Sequence, residues 1–374
     1  MAKKYLILTN GYPSNDDLYK NGFIHRRVKL YFENNIDVDI FYLFKNPKLV
    51  NYDFDGVSVY RGNQDILEIF LSNNTYDKVL IHFVNESMIN ALDKVCPTLE
   101  KIIWIHGFEA ERWTRRKFNY SDEELKVYES KLNSNDIVKF NFLRSIYSNP
   151  NNTFIFISNF HKNACEEDAM MKINNYHIIP NVIDERLFDY TPKDIHMRKN
   201  ILILRPFKYH HQANDLSIKA ILELSKKSYF KDLSFSIYGM GWHFDDIVKP
   251  VRDFENVKIY NTFIPQPEIS KIHKEHGIFL CPSRKDSQGV SIGEAMSSGL
   301  VPVTSNVDAI GEFVDLDCGF LADFDDYIGL SHAIEKLYFN PDLFKLMSKK
   351  ASSSITQKCG CEISMSKELN LIRQ

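Results

Sequence analysis

Two carboxylates, Asp286 and Glu294, stand with seven residues between them around the start of a segment that reads as a helix from about Gln288 to Ser298. The apolar run Gly277–Cys281 precedes it, and Gly299 follows where a helix favours a left-handed cap. A helix N-terminus offers unpaired backbone N–H groups and partial positive charge. The amides of Ser287, Gln288, Gly289 and Val290 are therefore a candidate cradle for phosphate oxygens, with Gly289 letting a ligand approach the backbone. Glu294 lies five residues into the helix. At ~1.5 Å per residue it sits roughly 8 Å along the axis, about the offset between a diphosphate and its ribose hydroxyls. Asp286, on the loop, can reach hydroxyls on the other side. The same spacing also suits an ordinary surface helix with scattered acids.

In parallel sheets ligands bind beyond the carboxyl ends of strands, and other polar clusters fall at such ends. After the run Ile201–Leu204 come Arg205, Lys208, His210 and His211 on one loop, able to clamp a diphosphate, for which the fork of an arginine is best shaped. Gly239 and Gly241 mark a tight turn after another strand, and Phe263 with Ile264 can line an aromatic base. In the first half, His106-Gly107 closes the run Lys101–Ile105 and is followed by Glu109, Arg112 and Trp113. That cluster reads either as a solvated loop or as a contact for an anionic acceptor or lipid headgroups. The loop Asn10–Gly22 has glycines at both ends but lacks the close triad of a dinucleotide fingerprint. Gly22 would let a helix start come near a ligand.

Strands are expected at 4–9, 37–42, 57–60, 78–84, 101–106, 153–158 and 176–179, then at 200–204, 233–238, 257–259, 277–281, 301–304 and 319–321. Helical patterns alternate with them, notably at 22–34, 87–95, 159–171, 214–227, 266–276, 289–298 and 327–339, with a last helix near 362–372. Such alternation is α/β and implies two doubly wound parallel sheets. At 374 residues the chain suits two domains, expected at 1–185 and 186–358, with 359–374 as a tail able to cross back to the first. The composition, 44% hydrophobic, 25% charged and of net charge −3, is that of a globular protein without the basic excess of a nucleic-acid binder. No apolar run approaches the ~20 residues that span a bilayer, and Met1–Thr9 reads as a strand rather than a signal peptide, so a cytoplasmic location is expected. The six cysteines stand at no zinc-site spacing and are expected to be reduced thiols.

Together these segments resemble family 4 glycosyltransferases. The resemblance rests on Asn181-Val-Ile-Asp184 with Phe188, Arg205, Gly239-x-Gly241, Pro282-Ser283, the pair Asp286 and Glu294, the run Glu294–Val303, and Glu312 followed by Gly319. Trp104-Ile-His106-Gly-Phe-Glu109 with Trp113, Arg115 and Arg116 is similar to a bacterial subgroup that builds surface polysaccharides. The resemblance implies the GT-B fold, with two Rossmann-like domains facing a cleft, and retaining transfer from a nucleotide sugar, a UDP-sugar being expected. It implies no metal and no cofactor, since the donor is itself the substrate. The acceptor would be a glycan or lipid-linked glycan, with a peripheral contact at the inner face of the cell membrane and no nucleic-acid partner. Glu294 would hold the ribose, and Asp286 with the amides of Ser287 to Gly289 the sugar and phosphates. Arg205 would neutralise the leaving diphosphate, and His106 would lie near the transferred sugar. Front-side attack assisted by the departing phosphate would need no protein nucleophile. Two departures stand out. Asp286 replaces the family's usual Glu, and the usual lysine after Arg205 is represented by Lys208 or by a protonated His211. An epimerase of the same fold, or a silent nucleotide-sugar-binding protein, are the competing readings.

Overall fold

The computed structural model describes residues 3–18 and 20–374, so Met1 and Ala2 of the expected N-terminal strand segment and Tyr19 of the first loop lie outside the described residues. The chain forms two compact units. One comprises Met1–Arg115, Asp122–Ile179 and Lys367–Gln374; the other comprises Arg116–Ser121 and Pro180–Ser366. The expected boundaries were at 185 and 358.

The first unit holds strands β1 (Lys4–Thr9), β2 (Asp37–Leu43), β3 (Val50–Phe54), β4 (Val57–Gly62), β5 (Lys78–His82), β6 (Glu100–Ile105), β7 (Asn152–Phe156) and β8 (Tyr176–Ile178). Their order across the sheet is β3-β4-β2-β1-β5-β6-β7-β8. Helices cover both faces, so β1, β5 and β6 read as continuous apolar runs and are buried almost throughout. The expected parallel sheet has one antiparallel edge. There β3, absent from the sequence reading, pairs antiparallel with β4. Asp55 and Gly56, both at positive φ, make the two-residue turn whose twist suits a hairpin. Asn63, Asn85 and Ser158 cap the next helices through their side chains.

The helix Ser366–Arg373 belongs to this unit. Its Glu368 is fully buried and accepts from Arg27 Nε at 2.8 Å and from the Tyr31 hydroxyl. Arg27 also lies over the Trp104 ring, 5.6 Å from its centre. Two buried opposite charges hold the helix to the helix Gly22–Glu33.

The second unit holds β9 (Asn200–Leu204), β10 (Ser234–Gly239), β11 (Val257–Asn261), β12 (Ile278–Leu280), β13 (Val301–Ser305) and β14 (Phe320–Ala322). All pair in parallel, in the order β11-β10-β9-β12-β13-β14. Counted within the unit this is the 3-2-1-4-5-6 order of the doubly wound nucleotide-binding sheet, whose ligand crevice opens where the order reverses. Here the reversal falls between β9 and β12. The segment after Pro180 is strapped to this unit. Gln288 bonds both the N–H and the C=O of Asn181, and Ser297 donates to the Phe188 carbonyl. A Cβ on Gly293 would lie 2.8 Å from Ile183, which explains why a glycine stands inside that helix. Among the described residues no helix is long and apolar enough to cross a membrane.

Removing one partner of a buried ion pair leaves an uncompensated charge, at a cost of about 3–5 kcal/mol. Glu368→Ala is therefore expected to lower unfolding stability by about that much in denaturant titrations. The double change Arg27→Met with Glu368→Leu should recover most of the loss.

Candidate functional site

Because the second sheet reverses between β9 and β12, the chain segments leaving those two strands meet at its carboxyl edge. Arg205 leaves β9 and is buried. Its Nη1 donates to the Pro282 carbonyl at 2.5 Å, the Ser283 hydroxyl at 2.7 Å and the Gln212 carbonyl at 3.2 Å. Its Nη2 faces Asp286 Oδ2 at 3.5 Å. The guanidinium thus ties together both sides of the reversal, and a cation stands beside the acid that opens the helix.

That helix runs from Val290 to Ser297, two residues later than the sequence reading placed its start. Asp286 Oδ1 accepts from the amides of Gln288 at 3.2 Å and Gly289 at 2.6 Å. Two of the four amides expected to cradle phosphate are therefore already satisfied by the protein's own carboxylate, whose short side chain suits such a cap. The amides of Ser287, Val290 and Ser291 take no acceptor among the described residues, and the first helical turn offers them none. Of the four expected amides, those of Ser287 and Val290 remain open, joined by Ser291 one residue further on. Gly289 has φ +75°, and a Cβ there would meet Ile310 at 2.8 Å. Backbone shape and packing demand this glycine, rather than ligand approach alone. The Gln288 side chain is spent on Asn181. At the far end Gly299, at φ +85°, closes the helix as expected, with Leu300 N donating to Ala295 O and Gly299 N to Met296 O.

Glu294 is buried on this helix and accepts from Gln266 Nε2 at 2.9 Å. Gln266 opens the helix Gln266–Lys274 just after Phe263 and Ile264, which are half-buried. Gln266 was missed by the sequence reading, because a lone glutamine after proline carries no chemical signature. Lys285 and Asp308 were missed too. They pair at 3.0 Å, and Asp308 also accepts from the Asp286 amide at 3.2 Å, so they brace the loop carrying the acid.

On the β9 loop, Lys208 is half-buried with its Nζ 5.4 Å from the centre of the Trp242 ring. His211 is stacked on Tyr209, and burial with the nearby Arg205 cation lowers its pKa to about 4. In the free protein burial and the Arg205 cation keep His211 neutral at neutral pH. Gly239 ends β10 against the same loop. A Cβ on it would fall 2.0 Å from the Arg205 carbonyl oxygen, and one on Gly241 2.2 Å from that of Phe207. Both glycines let β10 lie against the Arg205 segment; they are packing residues that set the position of Arg205.

In the first unit, His106 follows β6 and its Nε2 lies 2.9 Å from His82 Nδ1. Phe23 and Phe83 flank its ring. Glu109 accepts from the backbone N–H groups of His106 at 2.5 Å and Gly107 at 3.0 Å, shaping the loop. Arg112 is bound to Asp168 through its backbone N–H and its guanidinium, and Trp113 Nε1 donates to Asn133. Those contacts anchor Glu109, Arg112 and Trp113 within the unit. Gly22 begins its helix after Asn21 in the left-handed region, and a Cβ there would meet nothing within 4 Å.

Residues 198–340 match the family model of glycosyl transferases group 1. No curated protein matches the chain by sequence. Among solved structures, sucrose-phosphate synthase from Thermosynechococcus elongatus is similar at 12% identity, TM-score 0.75, over 100% of this chain and 98% of that one. A point mutant of S. aureus TarM, in complex with fondaparinux, alpha-GlcNAc-glycerol and UDP, is similar at 14% identity, TM-score 0.71, over 100% of both chains. Anabaena HepE, in complex with UDP and glucose, gives 14%, 0.68 and 100% of both. The chain has the GT-B fold, and the family match over most of the second unit supports glycosyl transfer.

Gly239→Ala places a methyl against a backbone carbonyl that cannot yield. A loss on the order of 3 kcal/mol is expected in chemical denaturation. In any folded variant Arg205 must move, because the added methyl falls on its carbonyl oxygen.

Proposed function

We propose that this chain is a retaining glycosyltransferase that moves a sugar from a nucleotide diphosphate, a UDP-sugar first among candidates, to a glycan or lipid-linked glycan acceptor. The observation that carries the reading is the convergence, at the sheet reversal of the second unit, of a buried arginine, unpaired first-turn amides and a buried Glu294. Phosphate oxygens, the negative charge of the diphosphate and ribose hydroxyls would each meet a partner of matching chemistry there. Glu294 would accept from the ribose hydroxyls, with Gln266 fixing its rotamer. The amides of Ser287, Val290 and Ser291 would donate to the phosphates, joined by Lys208. Arg205 retains Nε and part of Nη2 for the charge that grows on the diphosphate as the glycosidic bond breaks. Asp286 would take sugar hydroxyls through Oδ2 while Oδ1 keeps the helix start in shape. His106 would contact the transferred sugar.

In this reading the bond from the anomeric carbon to phosphate breaks as the acceptor oxygen forms its bond on the same face. The acceptor's proton passes to the departing diphosphate. No step calls for a protein nucleophile or a metal ion. Surface-polysaccharide synthesis at the inner membrane face is the role that the resemblance of Trp104–Arg116 favours.

The test is a screen of UDP-, GDP- and ADP-sugars for thermal stabilisation and for donor hydrolysis. A UDP-sugar is expected to stabilise the protein. Loss of a hydrogen bond to a charged group is typically worth about 1.5–3 kcal/mol, so Arg205→Ala and Glu294→Ala should each weaken binding roughly ten- to hundredfold. Binding that is absent for every donor, or unchanged in both variants, contradicts the proposal. A second expectation concerns pH. His211, with its folded pKa near 4, binds its proton less readily than an unfolded histidine, so it stays neutral from pH 6 to 8 in the free protein. Lys208→Ala should therefore weaken UDP affinity in that range, whereas His211→Gln should leave the pH profile of affinity unchanged.

A further inference from the structure

His82 ends β5 and stands in register with Trp104 on β6, and side chains two apart on a strand share a face, so His82 and His106 meet on one side of the first sheet. Their rings are nearly parallel, with centres 5.2 Å apart and Nδ1 of His82 2.9 Å from Nε2 of His106. One proton sits in that contact, and it can belong to either ring. If His106 donates from Nε2, His82 must carry its own proton on Nε2. That nitrogen is fully buried with no hydrogen-bond partner among the described residues. An N–H group would then be stranded in the interior, beside the buried Arg27 cation that bears on this ring. If His82 donates from Nδ1, its Nε2 presents a lone pair instead, which a neighbouring cation favours and which is less costly to leave unmet.

We infer that His82 is a positioning residue that fixes the proton of His106 on Nδ1, so that His106 meets its ligand as a neutral hydrogen-bond donor and not as a base. The consequence for transfer rests on the sugar contact proposed above. The surroundings hold the pair neutral. Burial keeps both rings well below the usual histidine range, with Arg27 from the helix Gly22–Glu33 adding to it for each and His161 from the helix Asn159–Ala169 for His106. Glu368 from the C-terminal helix offsets Arg27, and Glu109 binds backbone amides of the His106 loop. Thr9, which pairs with His82 on β1, directs its hydroxyl to the Gly11 carbonyl. Nδ1 of His106 takes no hydrogen bond among the described residues, so it is the nitrogen available to a donor-sugar oxygen.

Long-range 1H–15N correlation spectra of the full chain identify the tautomer directly, with the His106 signals assigned by their loss in His106→Gln. The expected pattern has a protonated Nδ1 and a bare, far-downfield Nε2. A protonated Nε2 on His106 overturns the inference whatever the His82 variants show. His82→Asn, which can offer an amide donor in place of Nδ1–H, should keep the pattern. His82→Asp offers only an acceptor and should move the proton to Nε2, with a roughly tenfold fall in kcat and an unchanged KM for donor. A His82→Asp spectrum identical to the parent also overturns the inference. The transfer rate of His106→Gln speaks to the sugar contact alone: an undiminished rate would remove that contact while the tautomer assignment stands.

Discussion

The Arg205 guanidinium spans the gap that the strand order of the second sheet creates. Where the order reverses, the segments leaving β9 and β12 face each other at the carboxyl edge, and without Arg205 the Pro282 and Gln212 carbonyls there would lose this donor. Arg205 satisfies both, along with Ser283, from a buried position. Its charge then fixes what stands next to it. Asp286 is held at 3.5 Å, the Asp286 carboxylate caps the helix Val290–Ser297, and the cap orients the first-turn amides. The same cation helps keep His211 neutral.

This arrangement explains which glycines the unit needs. Gly239 and Gly241 allow β10 to press against the backbone of the Arg205 loop, Gly289 takes a left-handed conformation beneath Ile310, and Gly293 makes room for the strap at Ile183. None of the four is explained by flexibility. Each marks a place where two backbone segments, or a backbone and a side chain, approach too closely for a Cβ. The strap itself is held through its main chain, at Asn181 by Gln288 and at Phe188 by Ser297.

The sequence pattern made much of the fold legible, most clearly where local signals agree. β9 and the helix Tyr327–Phe339 fall at the expected residues, because apolar runs and periodicity change sharply at their ends. The edge strand β3 was missed although Val50-Asn-Tyr-Asp-Phe54 alternates apolar and polar residues as a strand does; the run is short and only partly buried. The helix Asp122–Tyr147 is polar over much of its length and buries few residues, so its period is weak. In the candidate site, residue types were legible and their engagements were not. Asp286 stood out as a charge near a helix start and Arg205 as one beyond a strand end, but sequence alone does not say that a carboxylate's first duty is to its own backbone. Gln266 and the Lys285–Asp308 pair came into view only when distant segments were placed together.

The proposed nucleotide diphosphate site lies where Arg205 meets the start of the helix Val290–Ser297. Backbone amide shifts followed during titration with UDP test it directly. Saturable shifts concentrated at Ser287, Val290, Ser291 and the Arg205–Lys208 loop are predicted, with the Gln288 and Gly289 amides moving less because Asp286 already holds them. Saturable shifts centred elsewhere in the chain, with these residues unmoved, would contradict the account.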